Sequence, residues 1–143
     1  MFNFKFYIRI KFAEGHNYKH MTTKTKILLA EDDKFISKAY HDGLMRAGFE
    51  VAVVADGEQV LPKIKEFLPD IILLDLIMPV KNGFEVLTDI SKEPKYAKIP
   101  VIVVSNLGQN SDVEKAKTLG AVDYLVKSNY SLKEIIEKIK SHL

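Results

Sequence analysis

The 143 residues contain no cysteine, which excludes a disulfide framework and any thiolate metal site and fits a reducing cytosol. No apolar run approaches the ~20 residues that a membrane-crossing helix needs. The first residues alternate with Lys and Arg instead of forming the continuous apolar core of a secretory signal. The expectation is a cytoplasmic protein without membrane insertion. The four histidines (His16, His20, His41, His142) show no ligand spacing. A concentrated basic face is missing too. The net charge of +2 arises at the amino end, where Lys5, Arg9, Lys11 and Lys19 face Glu14 alone, and the remainder is about neutral. Direct nucleic-acid binding is therefore not expected.

What the chain does contain is ordinary globular composition, 47% hydrophobic and 28% charged, at a length that suits one domain with a real core. Its organising stretch is Ile71-Ile72-Leu73-Leu74-Asp75-Leu76-Ile77-Met78-Pro79. A short apolar run bounded by turn signals suits a strand buried on both faces. Such a strand delivers Asp75 to the carboxyl edge of its sheet, where ligands of open α/β sheets bind. Pro79 forces a turn, with Lys81-Asn82-Gly83 as the expected turn residues.

Residues 2–12 alternate strictly: Phe2, Phe4, Phe6, Ile8, Ile10 and Phe12 against polar or mixed neighbours. That is the patterning of a half-buried strand. Residues 13–20 read as a polar linker, and Met21-Thr22-Thr23-Lys24 resembles a natural start. Residues 1–23 are thus an extension: an upstream-start artefact, an extra edge strand or an arm that pairs with another chain. From Lys26 the grammar is regular. Strands at 27–30, 51–54, 71–74, 99–104 and 122–126 alternate with helices opening near Phe35, Asp56, Asn82, Ser111 and Ser131. Asp56, Asn82, Ser111 and Ser131 each stand three residues before Gln or Glu, as in a capping box. Pro62 predicts a kink in its helix. Five strands alternating with five helices mean a parallel sheet covered on both faces, a three-layer αβα sandwich. With the flavodoxin-like strand order 2-1-3-4-5, the first and third strands flank the topological switch point.

Polar residues collect at the strand ends: Glu31-Asp32 after the first, Asp75 after the third, Ser105 after the fourth and Lys127 after the fifth. Right-handed crossovers bring all of them to one edge. Singly, each has an ordinary explanation as a helix cap, a turn residue, a loop serine or a solvated lysine. Together, three carboxylates in one crevice call for a counter-cation. Mg2+ suits one or two carboxylates, several waters and a phosphate oxygen. Ser105 offers a hydroxyl, and Lys127 a compact charge able to pair with phosphate.

Residues 24–143 resemble the receiver domain of bacterial response regulators, close to the stand-alone chemotaxis type. The resemblance rests on ILLAEDD at 27–33, IILLDLIMP at 71–79, VIVVSN at 101–106 and DYLVK at 123–127. It implies a two-component phosphorelay in which Asp75 accepts a phosphoryl group from a sensor histidine kinase or histidine phosphotransfer protein. Glu31, Asp32, Asp75 and the backbone carbonyl of Ile77 would hold Mg2+. Ser105 and Lys127 would contact the phosphoryl oxygens, and Ser105 and Tyr124 would form the switch. Read without the resemblance, Tyr124 is simply a core aromatic. The resemblance further implies a protein that is not an enzyme but promotes its own phosphorylation and autodephosphorylation. It would dock a downstream protein through the helix at 111–119, the fifth strand and the helix at 131–143. A monomer, or a weak homodimer through that face, is expected. With the final helix ending at Leu143, so is a stand-alone receiver.

Three positions depart from the family pattern, one of them Glu31, which stands where Asp is more frequent in the first acidic position. Ser128 replaces the usual proline after the lysine, so a trans bond with Lys127 aimed differently is expected. Asn106 follows Ser105 where a smaller residue is common. Two rival activities fit less well. A phosphatase using Asp75 would carry an acid two residues on, where Ile77 stands. A flavodoxin-like cofactor binder needs a Gly/Ser/Thr-rich phosphate loop after the first strand, where Glu31-Asp32-Asp33 would repel phosphate. A receiver-like interaction module that works without phosphate is the alternative, and retention of Glu31, Asp32, Asp75, Ser105 and Lys127 speaks against it.

Overall fold

The computed structural model describes the backbone of residues 5–12 and 15–143 and the side chains from residue 23 onward. The alternation at Phe2 and Phe4 therefore lies outside the described residues. Strand β1 (Lys5–Phe12) pairs antiparallel with β2 (Gly15–Thr22), from Lys5 opposite Thr22 to Phe12 opposite Gly15. These two strands form a sheet of their own. Residues 15–20 are therefore strand and not the expected linker, and β1 pairs with β2 and not with the main sheet. Backbone pairing along β1 satisfies a polar segment whose sequence has no apolar alternation to announce it.

The main sheet contains β3 (Lys26–Ala30), β4 (Glu50–Val54), β5 (Ile71–Leu74), β6 (Val101–Ser105) and β7 (Asp123–Val126), all parallel in the order β4-β3-β5-β6-β7. Counted from β3 this is 2-1-3-4-5, as expected. The helices are α1 (Lys34–Arg46), α2 (Val60–Phe67), α3 (Gly83–Lys92), α4 (Asn110–Thr118) and α5 (Leu132–Ser141). The alternation of strand side chains sorts the core into two clusters. Leu28, Ala30, Ile72, Leu74, Val101 and Val103 face α2, α3 and α4 through Val60, Ile64, Val86, Leu87, Ile90 and Ala116. Ile27, Leu29, Ile71, Leu73, Ile102 and Leu125 face α1 and α5 through Leu44, Ile135 and Ile139. Each buried apolar side chain stabilises by roughly 1.5–3 kcal/mol, so the central strands hold the site's scaffold rigid.

Most caps form as expected. Asn82 accepts from the Glu85 amide and Ser131 completes a reciprocal box with Glu134, while Asp33, which the sequence reading did not single out as a cap, accepts from the amides of Phe35 and Ile36. Asp56 caps a short 3-10 turn (Gly57–Gln59) that precedes α2. That turn places Pro62 third in α2, where its missing N–H is among those a first turn leaves unpaired, so no kink is required. Ser111 does not open α4. The cap lies two residues earlier, at Gln109, with no side-chain cap bond. Asn110 and Ser111 both suit a helix start, so composition alone does not set the register there. Nor do Lys81-Asn82-Gly83 make the turn after β5. Asn82 caps α3, and Gly83 lies where a Cβ would meet the Asp75 carbonyl oxygen at 2.5 Å. The turn centres on Val80, at φ 68°.

Candidate functional site

Every polar residue singled out at a strand end is at the carboxyl edge. The Asp75 amide donates to the Ala30 carbonyl, tying the β5 exit to β3, and the Glu31 amide to the Val54 carbonyl, tying the β3 exit to β4, each at 3.0 Å. Asp75 and Glu31 are buried, 5% and 3% exposed, while Asp32 faces solvent. Carboxylate oxygens of all three lie within 4.8 Å of one another. Lys127 Nζ donates to Glu31 Oε2 at 2.5 Å and to Asp75 Oδ2 at 2.9 Å. The Ile77 amide donates to Asp75 Oδ1 at 3.1 Å, and the Asp33 amide to Glu31 Oε1 at 3.1 Å.

The Lys127–Ser128 bond is trans, as the serine led us to expect. Lys127 nevertheless points at Asp75, from the first position of the 3-10 turn Lys127–Asn129 that follows β7. The feared misdirection does not occur. Ser105 is fully buried at the end of β6, and its Oγ accepts from the Leu107 amide at 3.4 Å. Asn106 is exposed. Tyr124 is buried, and its hydroxyl donates to the Leu107 carbonyl at 2.5 Å. Leu107 thus links the hydroxyl residue to the aromatic one. Sequence reasoning missed it because the contact uses only its backbone, which leaves no mark on composition.

Burial, helped by neighbouring Asp75, drives the Glu31 carboxyl above its usual range against the pull of Lys127. Burial opposes the Lys127 ammonium, but its bonds to Glu31 and Asp75 outweigh that and hold it above the ordinary lysine value. Burial also raises the Tyr124 hydroxyl. Three carboxylates against one ammonium leave the cluster two positive charges short of balance. Clustered oxygen donors, two of them in the interior, fit a hard divalent cation.

A doubly wound five-stranded sheet with an acid–lysine cluster at its switch point defines a receiver domain of two-component signalling. The model of the response regulator receiver domain matches residues 27–140, and the chain belongs to that family. It is 33% identical over 123 residues to the probable transcriptional regulator ycf27 of Guillardia theta, covering 86% of this chain and 47% of that protein. The chain spans about half the length of the curated relatives it matches. Its structure resembles chemotaxis protein CheY4 of Vibrio cholerae (TM-score 0.79, 26% identity, 85% of this chain and 100% of that one). It also resembles the phosphorylated cyanobacterial phytochrome response regulator RcpA (TM-score 0.71, 31% identity, 83% and 91%). Among the described residues, no helix is long and apolar enough to cross a membrane.

Proposed function

We propose that Asp75 is the phosphoacceptor of a two-component relay, supplied by a phosphohistidine on a sensor kinase or histidine phosphotransfer protein. The observation that carries this reading is the single lysine, Lys127, bonded to both Glu31 and Asp75 within one acidic cluster. A carboxylate oxygen of Asp75 attacks phosphorus. The P–O bond forms as the P–N bond breaks, and the imidazole leaves with the electron pair and takes up a proton. Water later attacks the same phosphorus, returning the carboxylate and inorganic phosphate. Transfer of this kind needs alignment and charge neutralisation more than covalent help. Glu31, Asp32, Asp75 and the Ile77 carbonyl would hold Mg2+, which supplies positive charge to the transferring oxygens. Lys127 exchanges its carboxylate partners for a phosphoryl oxygen, and the Ser105 hydroxyl turns to donate to another.

The readout follows from the Leu107 link. Moving Ser105 disturbs the Leu107 amide, and the Tyr124 hydroxyl bonded to the same residue responds at the α4–β7–α5 face. A downstream protein docks there, and the protein is a monomer or a weak homodimer through the same face. Residues 24–143 make up the receiver, and residues 1–23 an extension to it. RcpA, described as phosphorylated, and its 31% identity support the chemistry. The test is intact-mass spectrometry with acetyl phosphate, with and without Mg2+, beside Asp75→Asn. One phosphoryl group that requires both Mg2+ and Asp75 is the expected result. No adduct from acetyl phosphate or from candidate kinases would overturn the reading and leave a phosphate-independent interaction module.

A further inference from the structure

Gly57 is the buried first residue of the turn between β4 and α2. A Cβ there would stand 1.9 Å from the Lys81 carbonyl oxygen and 2.6 Å from its carbon. The obstacle is backbone, so no rotamer change relieves it. The Gly57 amide also donates to the Pro79 carbonyl at 3.4 Å, and the Lys81 amide donates to that same oxygen at 2.8 Å. The second bond closes a three-residue turn around Val80, a β-branched residue held at φ 68°. A γ-turn of this hand is rare and strained, and left-handed backbone disfavours valine in particular. It persists only if its surroundings over-determine it. Gly57 does so from the β4–α2 side. From the α3 side, Lys81 Nζ donates to Asp89 Oδ2 at 2.6 Å. Between this turn and Asp75 lie only Leu76, Ile77 and Met78, and the Ile77 amide bonds the Asp75 carboxylate.

We propose that Gly57 is a positioning residue for the phosphoacceptor. Its missing side chain lets the β4–α2 turn clamp Pro79–Lys81, and the clamp fixes the Ile77 backbone and the Asp75 carboxylate for cation and phosphoryl binding. This rests on the phosphoacceptor reading of Asp75, although Gly57 itself touches none of the reacting atoms.

Titration calorimetry of the full chain with MgCl2 tests the inference. Gly57→Ala, still unfolding cooperatively, raises the Kd on the order of tenfold, as loss of outer support does at other metal sites. An unchanged Kd overturns the proposal. Amide hydrogen exchange in metal-free protein reads the clamp without any ligand. The Ile77 and Lys81 amides exchange faster in Gly57→Ala, while those of Val103 and Leu125 keep their protection. Equal exchange at Ile77 and Lys81 overturns the clamp. If the wild type takes up neither Mg2+ nor phosphoryl, the functional reading fails, and the exchange comparison still decides the clamp. Should Gly57→Ala not fold, Val80→Gly is added, because glycine adopts the left-handed turn without external support. Restored folding and recovered Mg2+ binding are expected. A double variant no better than Gly57→Ala overturns the proposal, since Gly57 would then serve packing alone.

Discussion

The two ends of the parallel sheet both carry acids, yet treat them differently. At the amino end, Asp70 accepts from the Lys26 amide at 2.8 Å, locking the start of β3 to the start of β5. Asp123 accepts from the Tyr124 amide at 2.9 Å and faces His142 Nε2, at the end of α5, at 3.0 Å. Each of these acids has its own local partners and some contact with water. At the carboxyl end, Glu31 and Asp75 are buried and depend on the same ammonium. An acid matched to its own partners near the surface is a structural fastener. Acids left sharing one cation form a site with capacity for another.

Four changes would break or sharpen that contrast. The largest effect is expected from Lys127→Met, which strands two buried carboxylates. Losing one partner of a buried ionic group costs about 3–5 kcal/mol, and millimolar Mg2+ should recover part of it. Chemical denaturation with and without MgCl2 measures both. A loss that Mg2+ leaves untouched would argue against the shared-cation picture. Ser131→Ala removes an ordinary cap at the same end of the sheet and should cost only about 1 kcal/mol, with no Mg2+ dependence.

Val80→Gly should act in the opposite direction. Left-handed backbone costs a side-chain-bearing residue about 1–2 kcal/mol, while glycine loses about 0.5–1 kcal/mol more to chain entropy. A net gain of roughly 0.5–1 kcal/mol in thermal unfolding is expected; a loss would show that Val80 is not strained.

The smallest effect belongs to Asp123. Burial works to raise its carboxyl, but the bonds from His142 and the Tyr124 amide outweigh burial and hold it below the usual range. A carboxyl lowered in the folded state contributes stability above its unfolded pKa of about 3.9. That contribution is lost as pH falls through the lower folded value. Asp123→Asn should therefore cost under about 1 kcal/mol at pH 7. Its unfolding free energy should converge with wild type once the pH drops below the ordinary carboxylate range. Urea titrations across that window would show the convergence.

The sequence made the strands and their polar ends legible for a simple reason. Four or five consecutive apolar residues suit burial on both faces, and a lone acid after such a run has nowhere to go but the edge. Lys127 followed from the same logic, although its aim did not. It stands at the start of a local 3-10 turn, which Ser128 alone does not foretell. Val80 was illegible because a strained conformation is imposed from outside, and no local preference of valine indicates it. Composition pointed instead to Asn82 and Gly83, which serve capping and close approach. At α4, two adjacent residues could each begin the helix. In β2, pairing with a neighbour substitutes for the apolar alternation that would have revealed a strand. Local rules fail here where a second segment of chain decides the outcome, and the Val80 turn beside Asp75 is such a place.

The division of the interior into two clusters sets how the protein tolerates change. The sheet stands between the α1–α5 layer and the α2–α3–α4 layer, so side chains from the two layers share few neighbours. Substitutions on opposite layers should combine close to additively, whereas pairs within one layer should compensate or aggravate each other. Paired replacements such as Leu44 with Ile135 can therefore drift together without consulting Val86 or Ile90. One layer is free to be remodelled for new neighbours while the other keeps its packing, and the strand ends that hold Asp75 are shared by both.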